Sequence, residues 1–497
     1  MKAKRELGES NVIYADKLIK KDKLLSNILL FLRENSTQVY LAGGFLRDKL
    51  LGRKGKDIDL VIEGKIDKFG KELAGALEGS FFILGENQVA RIAIKDKGQR
   101  KIDICVIEDS IEDDLKRRDF TVNSLAIDAK KLSAGSEFVR IIDVTGGLQD
   151  LKNKKISAMS SKTFKEDPLR ILRAIRLSVE LGFNIDPKTC SYLKESAPLV
   201  AGVSAERLQR ELYAIFALTY SHEAIKLLDE MGIIGFILPE IEKMKGIAQN
   251  DYHHLDVWNH TLLALENLEA IVANLKEIFP DEHGQISEHL SRFLQEEFNR
   301  MVPLKLAVLL HDIGKPRTKL VDPSGIVHFY NHSEVGAKMT EKICKRLKAS
   351  NEITKIVVKL VAEHMRPGFL SKEGGSIDRA IRRFLRVGGE ETVEILLLSL
   401  ADRRATLGPL STEKSINRHE NFIKKVMKDY FSTIEQPIEP LVDGYDLMKK
   451  LNIKPGKIIG ELLEEIVEVQ AEGRISTKEE ALSFAEKYFE DYSKEKK

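Results

Sequence analysis

The chain has little cysteine and no cysteine pattern that would hold a metal or staple a small fold. Its 497 residues contain only 3 cysteines and 1 tryptophan. Cys105, Cys190 and Cys344 are odd in number and far apart, which excludes a disulfide framework and a zinc site built on sulfur. Such cysteine usage is typical of a reducing compartment, so we expect the protein to be cytoplasmic.

The sequence also lacks an excess of one charge and lacks long hydrophobic runs. Its 79 Lys and Arg residues nearly balance 77 Asp and Glu residues, which leaves a net charge of +2. No global field therefore attracts nucleic acid, and any such attraction must come from local patches. No segment stays apolar for the ~18 residues that a membrane span requires, so we expect no membrane partner.

Strand and helix patterns divide the chain into an α/β part and a longer helical part. A chain of this length is expected to form several domains. Residues 1–150 alternate between strand and helix patterns, whereas helical periodicity dominates afterwards. We therefore predict an α+β protein with an α/β head at 1–150, followed by helical domains at 151–245, 246–406 and 407–497. Residues 280–289 are predicted to form a polar loop between helices.

Two aspartates stand two residues apart on a predicted strand. Asp57 and Asp59 would leave the same face of a sheet, and Asp103 could join them from a nearby strand. Carboxylate oxygens suit Mg²⁺, and two such ions about 4 Å apart activate a hydroxyl and stabilise a leaving pyrophosphate. The three aspartates are therefore candidate catalytic residues with Mg²⁺ as cofactor.

A glycine turn precedes this strand. Gly43 and Gly44 end a short apolar run and open a predicted helix that carries Arg47 one turn further on. Backbone N–H groups at a helix start favour phosphate, so these residues are candidate nucleotide ligands. A pair of glycines before a helix, or a lone DxD, is usually only a turn or a solvated strand. The order GGFLRD and then DID makes the functional interpretation the stronger one.

These motifs resemble those of polymerase β-type nucleotidyltransferases, in the branch that holds bacterial tRNA nucleotidyltransferases and bacterial poly(A) polymerases. The later motifs of that branch follow in order along residues 38–240. They are RRDFTVN (117–123), DVTGGLQDL (143–151), EDPLRILRAIR (166–176) and AERLQREL (205–212). The resemblance implies a polymerase β-like head, an all-helical neck, and transfer of nucleotides to RNA without a nucleic-acid template.

The resemblance implies that Asp167 and Arg170 read the base of the nucleotide. Cytosine and adenine both present an amine donor beside a ring-nitrogen acceptor, whereas uracil and guanine reverse this pattern. An aspartate and an arginine would admit the first pair, because the second would leave buried polar groups unpaired. Arg118, Arg173 and Arg176 would also bind the nucleotide. The alternative is an ordinary basic helix face paired to neighbouring acids.

The resemblance also suggests the substrates. A tRNA acceptor stem would be the RNA partner, with CTP and ATP as nucleotides, and the lysines of residues 152–165 could contact its backbone or simply be solvated. Many CCA-adding relatives have a longer mobile segment before the RRDFT-like motif, whereas only residues 104–116 intervene here. We therefore favour CC addition slightly over full CCA addition.

A second constellation of histidines and aspartates lies in the helical part. It resembles the HD superfamily of metal-dependent phosphohydrolases, so residues 246–406 are predicted to form an HD domain. The candidate ligands are His260, His311, Asp312, His332, His364 and Asp402. Such groups from different helices bind Mn²⁺, Fe²⁺, Ni²⁺ or Mg²⁺ and activate water. Either a catalytic or a structural HD site fits the sequence, and His253, His254 and His328 stay open as supporting or surface residues.

Three alternatives to a tRNA nucleotidyltransferase fit parts of the sequence. A poly(A) polymerase shares the motifs of the head. A protein of another class would use the HD site as its working centre, as a phosphohydrolase, with the head as an RNA-binding platform. A purely structural RNA-binding protein would leave both acidic sites without purpose and is disfavoured.

Overall fold

The computed structural model describes residues 11–19, 22–55, 57–84, 89–94, 100–295, 297–372, 377–435, 440–471 and 474–495. The chain forms two compact units, residues 1–239 and 240–497. The first unit combines a sheet with helices, and the second is almost entirely helical. The predicted α+β class is confirmed, while the four predicted domain ranges stay predictions.

The first unit is built on one eight-stranded sheet. Its strands are β1 (Val12–Tyr14), β2 (Val39–Ala42), β3 (Ile58–Ile62), β4 (Ser80–Leu84), β5 (Val89–Ala93), β6 (Lys101–Val106), β7 (Leu125–Asp128) and β8 (Phe138–Asp143). Their order across the sheet is β1-β8-β7-β2-β3-β6-β5-β4. Only β3 and β6 run parallel, and the remaining neighbours are antiparallel. The acidic strand β3 therefore lies in the middle of the sheet, where four of its five residues are buried.

Helices surround this sheet and continue into the second half of the first unit. They span Ala15–Ile19, Lys23–Glu34, Gly43–Leu50, Ile66–Ala76, Ile111–Arg117, Ala129–Ser133, Gly147–Lys152, Lys162–Glu166, Arg170–Leu181, Pro187–Ser196, Ala205–Phe216, Ser221–Glu230 and Ile234–Ile237, with short 3₁₀ turns at Thr121–Asn123 and Ala197–Gly202. The helix after Pro168 begins at Arg170 and ends at Leu181, and the next residue, Gly182, stops it with a left-handed φ of 66°.

The second unit is a helical assembly with two small hairpins. Its helices span Val257–Ala273, Leu275–Ile278, His283–Ser291, Met301–Leu310, Lys315–Thr318, His332–Arg346, Asn351–Glu363, Arg366–Leu370, Ile377–Gly388, Thr392–Ala405, Glu413–Glu435, Gly444–Leu451, Lys457–Ala471 and Lys478–Glu495, with 3₁₀ turns at Ile241–Lys243 and Gly389–Glu391. Every residue of Val302–Leu310 is buried, so this segment forms the centre of the helical core. The last three helices bury their own cluster, which includes Leu447, Leu462 and Ile466.

The part of the chain after residue 150 is almost all helix, as predicted, but the prediction misses three short pairs of strands. Lys155–Ile156 pairs with Asn184–Ile185, and two hairpins join Phe293–Gln295 to Phe298–Asn299 and Lys319–Val321 to Val327–Phe329. These strands have only two or three residues, too few for an alternating pattern to be read from sequence. The predicted loop at 280–289 is also wrong, because helix His283–Ser291 buries Ile286 and Leu290 there.

Candidate functional sites

The three predicted catalytic aspartates come together at the end of two neighbouring strands. Asp59 on β3 and Asp103 on β6 are directly paired positions of the parallel register. Asp57 stands one residue before β3, and its carboxylate accepts a hydrogen bond from the backbone N–H of Lys101 at 3.1 Å. Strands β3 and β6 therefore place Asp59 and Asp103 side by side, with Asp57 immediately before β3.

The glycine turn closes over Asp59. Gly43 has a φ of 71°, and a Cβ placed on it would lie 2.7 Å from Asp59 Oδ2. Only glycine fits there, because any side chain would be strained in the backbone and would collide with the carboxylate. Asp59 Oδ2 also accepts a hydrogen bond from the Phe45 N–H at 3.3 Å. The predicted neighbourhood of the turn and the acidic strand is thus present.

Electrostatics indicate that this cluster suits a cation. Burial raises the pKa of Asp59, and the neighbouring carboxylates of Asp103 and Asp57 raise it further, while the Phe45 N–H and Arg118 lower it. Like charges held this close repel one another unless a cation or proton is shared between them. Oxygen-only donors of this kind fit Mg²⁺.

Asp103 has a partner that the sequence did not reveal. Arg91 on β5 is its cross-strand neighbour, and its Nε and NH2 donate to Asp103 Oδ1 and Oδ2 at 2.7 Å and 3.0 Å. Arg91 neutralises part of the charge of the acid cluster and fixes the plane of the Asp103 carboxylate.

The arginines predicted near the glycine turn occupy two different environments. Arg47 is 6% exposed, and it donates to Asp48 at 2.8 Å and to Asn123 Oδ1 at 2.7 Å. Arg118 lies at the turn itself, since its NH1 would be 3.0 Å from a Cβ on Gly43, and it also pairs with Asp114 at 2.9 Å. Arg47 is held inside the protein, whereas Arg118 faces the acid cluster; nucleotide contact by either residue stays a prediction.

The predicted base reader lies where two helices meet. Asp167 Oδ1 accepts from the Leu169 N–H at 3.2 Å, and its Oδ2 accepts from Arg207 at 2.8 Å. Arg170 donates to the Thr163 carbonyl at 3.3 Å, and it lies 3.6 Å from Glu166. Arg207 belongs to the AERLQREL motif, which hinted at a role for this segment without indicating which residue carries it.

Arg173 and Arg176 are paired to acids, as the alternative interpretation of this helix requires. Arg173 lies 3.1 Å from Asp119 Oδ2, and Arg176 lies 3.0 Å from Glu211 and 3.1 Å from Glu180. The charge of Asp119 raises the pKa of Arg173 most, and Asp59 contributes as well. Arg173 and Arg176 are therefore held by ion pairs to acids outside the cluster of Asp57, Asp59 and Asp103.

All four histidines of the HD constellation point Nε2 towards the centre of the cluster and hold Nδ1 against the backbone. Each Nδ1 bonds a backbone carbonyl: His260 to Ala405 at 3.4 Å, His311 to Val308 at 2.8 Å, His332 to Phe329 at 2.8 Å and His364 to Val361 at 2.7 Å. A carbonyl accepts only, so Nδ1 carries a proton in each ring. The Nε2 of His260 faces a carboxylate instead, at 2.9 Å from Asp402 Oδ1. Metal-binding histidines are oriented in this way by their outer partners.

The inward nitrogens and two carboxylates form two groups that fit metal ions. The first group is His260, His311 and Asp402, and the second is Asp312, His332 and His364; in each, the donor atoms lie within 4.8 Å of one another. His332 Nε2 and His364 Nε2 are 3.4 Å apart, and His311 Nε2 lies 3.2 Å from Asp312 Oδ2. Imidazole nitrogens and carboxylate oxygens grouped this closely suit a divalent metal ion.

The HD cluster is largely buried, and burial favours neutral imidazoles in its second group. Burial, with the charges of His311 and His332, lowers the pKa of His364 to about 3. Neutral imidazole is the form that binds metal. Asp402 is the most exposed of the six candidate ligands, with 21% of its side chain accessible to solvent. The other carboxylate of the cluster, Asp312, is buried and forms an ion pair with Lys315 at 2.7 Å.

The three histidines whose role the sequence left open lie in three different environments. The ring of His253 lies 4.9 Å from that of His260, and burial lowers its pKa to about 3. His254 is exposed, and His328 pairs with Asp322 in a hairpin at 2.8 Å. His253 is thus a neighbour of the metal-binding candidates.

Family models match four consecutive parts of the chain. They are the "Poly A polymerase head domain" at residues 39–157, the "Probable RNA and SrmB- binding site of polymerase A" at 182–245, the "HD domain" at 257–407 and "tRNA nucleotidyltransferase domain 2" at 414–485. The fold and its two sites define a polymerase β-type nucleotidyltransferase that carries an HD domain.

Curated relatives match almost the whole chain. An A-adding tRNA nucleotidyltransferase of Deinococcus radiodurans is 32% identical over 91% of this chain and 95% of the relative. A CC-adding tRNA nucleotidyltransferase of Thermus thermophilus is 30% identical over 89% and 92%. The chain belongs to the family of bacterial tRNA nucleotidyltransferases and is an enzyme of that family, as the sequence motifs predicted.

Solved structures support the fold. The Thermotoga maritima CCA-adding enzyme complexed with tRNA matches 97% of this chain and 100% of its own, with a TM-score of 0.60 and 23% identity. The structure of a CCA-adding enzyme with CTP also matches 97% of this chain and 100% of its own, with a TM-score of 0.62 and 23% identity. Among the described residues, no helix has the length and apolarity needed to cross a membrane.

Proposed function

We propose that this enzyme adds two cytidines to the 3′ end of tRNA. The observation that carries the proposal of nucleotidyl transfer is the position of Asp59, which lies under the Gly43 turn and beside Asp103. In the proposed reaction, the tRNA 3′-hydroxyl attacks the α-phosphorus of CTP. The new bond joins O3′ to phosphorus, the bond to the β-phosphate oxygen breaks, and pyrophosphate leaves with its electron pair.

Asp57, Asp59 and Asp103 would hold the Mg²⁺ ions of this site. Those ions, when bound, would polarise the attacking hydroxyl and neutralise charge on the leaving pyrophosphate. The protein itself supplies the glycine turn for the phosphates and Arg118 beside it. Asp167 would accept from the amine of cytosine or adenine, and Arg170 would donate to the ring nitrogen.

The substrate RNA is proposed to be a tRNA in the cytoplasm, bound by its acceptor stem. Four lysines of residues 152–165 are exposed, which supports contact with a phosphate backbone. They are Lys152, Lys154, Lys162 and Lys165.

A short connection after the third carboxylate strand supports CC addition. Only residues 107–110 join β6 to helix Ile111–Arg117. That helix is capped by Ser110, and Arg118 follows it directly, held by Asp114. The connection is thus shorter than the mobile segment of many CCA-adding relatives, which supports the proposal. Sequence identity alone does not decide, since the A-adding and CC-adding relatives are 32% and 30% identical.

Incubation with a tRNA that ends before CC tests this proposal. We expect two residues to be added with CTP alone and none with ATP alone. With both nucleotides present, we again expect two. Addition of a terminal A when both are present would contradict CC addition in favour of full CCA addition. A long A tract from ATP alone would identify the poly(A) polymerase alternative.

We also propose that the HD site is a metal-dependent phosphohydrolase centre with two metal positions. The inward Nε2 atoms and the solvent-facing Asp402 support it. Metal analysis of the purified protein and hydrolysis of 2′,3′-cyclic nucleotides test it, and a protein without bound metal would contradict it. Asp57→Ala separates the two sites: it should abolish incorporation and spare hydrolysis, whereas an HD-only enzyme would process RNA unchanged.

A further inference from the structure

Helix Ile377–Gly388 of the second unit carries four arginines on one side. They are Arg379, Arg382, Arg383 and Arg386. Their spacing of i, i+3, i+4 and i+7 places them on a single helical face. The opposite face packs into the protein, where Ile381 and Phe384 are 3% and 1% exposed. The helix is therefore apolar beneath and basic outside.

The basic face is open to solvent. Arg379, Arg383 and Arg386 are exposed. Arg379 is partly neutralised by Glu465, whose Oε2 lies 3.5 Å from its NH2. Arg383 has no acidic partner within the part of the chain that the structure describes. The sequence of the helix contains a single acid, Asp378, so its net charge is positive.

The nearest glutamates that follow the helix do not cancel this charge. Glu391 is already paired with Lys359 at 2.8 Å and with Arg300 at 3.3 Å. Glu390, which is 72% exposed, lies 3.6 Å from Arg300. These acids belong to a separate ion-pair network around Arg300, so they do not neutralise the arginine face.

The chemistry of the face selects phosphate of RNA over a membrane. A membrane-binding amphipathic helix inserts its apolar side into lipid, but here that side is buried in the protein. Guanidinium groups bind phosphate oxygens through paired hydrogen bonds. A rise of 1.5 Å per residue spreads the arginines over about 10 Å of the helix axis, long enough to follow several phosphates of one strand.

We propose that the outer face of helix Ile377–Gly388 binds the phosphate backbone of the substrate tRNA. This site belongs to the second unit, whereas the acid cluster and the lysines of residues 152–165 belong to the first. The identity of the RNA as tRNA rests on the proposed function, while the phosphate recognition rests on the helix alone.

The test replaces three arginines together as R379Q/R383Q/R386Q. Binding of a fluorescent tRNA that ends before CC is measured over a series of KCl concentrations, and steady-state incorporation of CMP is measured in parallel. We expect affinity to fall at least about tenfold and the slope of log affinity against log salt to fall by about two. The KM for tRNA should rise, while kcat at saturating tRNA stays within about twofold, because the reacting groups are untouched.

A matched control removes the same charge elsewhere on the second unit. Lys338, Lys342 and Lys345 are exposed on helix His332–Arg346, with i, i+4 and i+7 spacing, but Glu334 and Glu341 are exposed on the same helix. K338Q/K342Q/K345Q should leave affinity and salt slope near wild type.

Three results would overturn the proposal. One is unchanged affinity and salt slope in the arginine variant, and another is an equal loss in the lysine control. The third is that the arginine variant loses binding to phosphatidylserine vesicles but keeps binding to tRNA. Should the triple variant fail to fold, R383Q alone is measured, since the Arg383 side chain is exposed; its salt slope should fall by about one. A wild-type protein that binds tRNA but incorporates no nucleotide would refute the proposed function, not this site.

Discussion

Arg207 donates a hydrogen bond to Asp167 over 2.8 Å and so ties helix Ala205–Phe216 to the residue that precedes helix Arg170–Leu181. The other oxygen of Asp167 is fixed by the Leu169 N–H. A carboxylate held at both oxygens has one orientation in which it can accept from a base. Arg207 is therefore a positioning residue for the proposed base reader.

Arg207→Ala should lower nucleotide selectivity without removing activity. With Arg207 gone, Asp167 rotates more freely, so discrimination between CTP and UTP should fall about tenfold in kcat/KM. Single-nucleotide incorporation with each triphosphate measures this. Glu206→Ala, an exposed position on the same helix, is the control and should keep full selectivity. Unchanged selectivity in Arg207→Ala, beside a loss in Asp167→Ala, would show that Arg207 has no positioning role.

Asp59→Asn should abolish incorporation almost completely. It keeps the size of the side chain but removes the charge that the cluster offers to a cation, so we expect a loss of at least about a thousandfold in kcat. The readout is CMP incorporation into tRNA at several Mg²⁺ concentrations. Asp109→Asn is the matched control, because the Asp109 side chain is 64% exposed in its pair with Arg117. Retention of more than a tenth of the wild-type rate would exclude a role of Asp59 in transfer.

Local patterns predicted the parts of the fold whose signal lies in adjacent residues. The strand before Gly43, the acidic strand β3 and the helix after Pro168 are present at the expected places. The strand Val12–Tyr14 was not predicted, because three residues in a charged segment carry little periodicity, and it exists only by pairing with β8.

Long-range pairings explain most of what the sequence did not reveal at the sites. Arg91 meets Asp103 only through the register of β5 on β6, and Asp167 and Arg207 are separated by 40 positions. The six candidate ligands of the HD site were predicted as one constellation, whereas their division into two groups depends on how the helices pack. Spacing within a motif predicts which side chains of that motif share a face, whereas tertiary packing determines which distant residues they contact.

His364→Ala should remove one of the two proposed metals of the HD site. His364 and His332 face each other in the second group, whereas the first group would keep all its donors. Metal content measured by mass spectrometry should fall from about two ions per chain to about one. The exposed His254→Ala serves as control, and tRNA incorporation should be unaffected in both variants. Equal metal content in wild type and His364→Ala would refute the second position.

Asp22 makes a buried link between three segments of the first unit, and its loss should destabilise that unit. Its carboxylate caps helix Lys23–Glu34 through the Leu25 N–H at 3.2 Å. It also binds Lys49 and Arg100, each at 2.7 Å. Although burial opposes the charge, the bonds from Arg100, Lys49 and Leu25 lower the pKa of Asp22 to about 2. The charged form is thus strongly favoured in the folded state.

We expect Asp22→Asn to lower the free energy of unfolding of the first unit by about 1 to 3 kcal/mol at neutral pH. Because the folded pKa lies below the ordinary value, the contribution is complete above about pH 4 and is lost as the pH falls towards 2. The difference in the free energy of unfolding between Asp22→Asn and wild type should therefore become smaller as the pH falls over that range. The single tryptophan, Trp258, reports only on the second unit, so hydrogen exchange of helix Lys23–Glu34 is the suitable measurement. Asp16→Asn, at an exposed position, should match wild type throughout, and a variant difference that persists at pH 2 would contradict the role of the Asp22 charge.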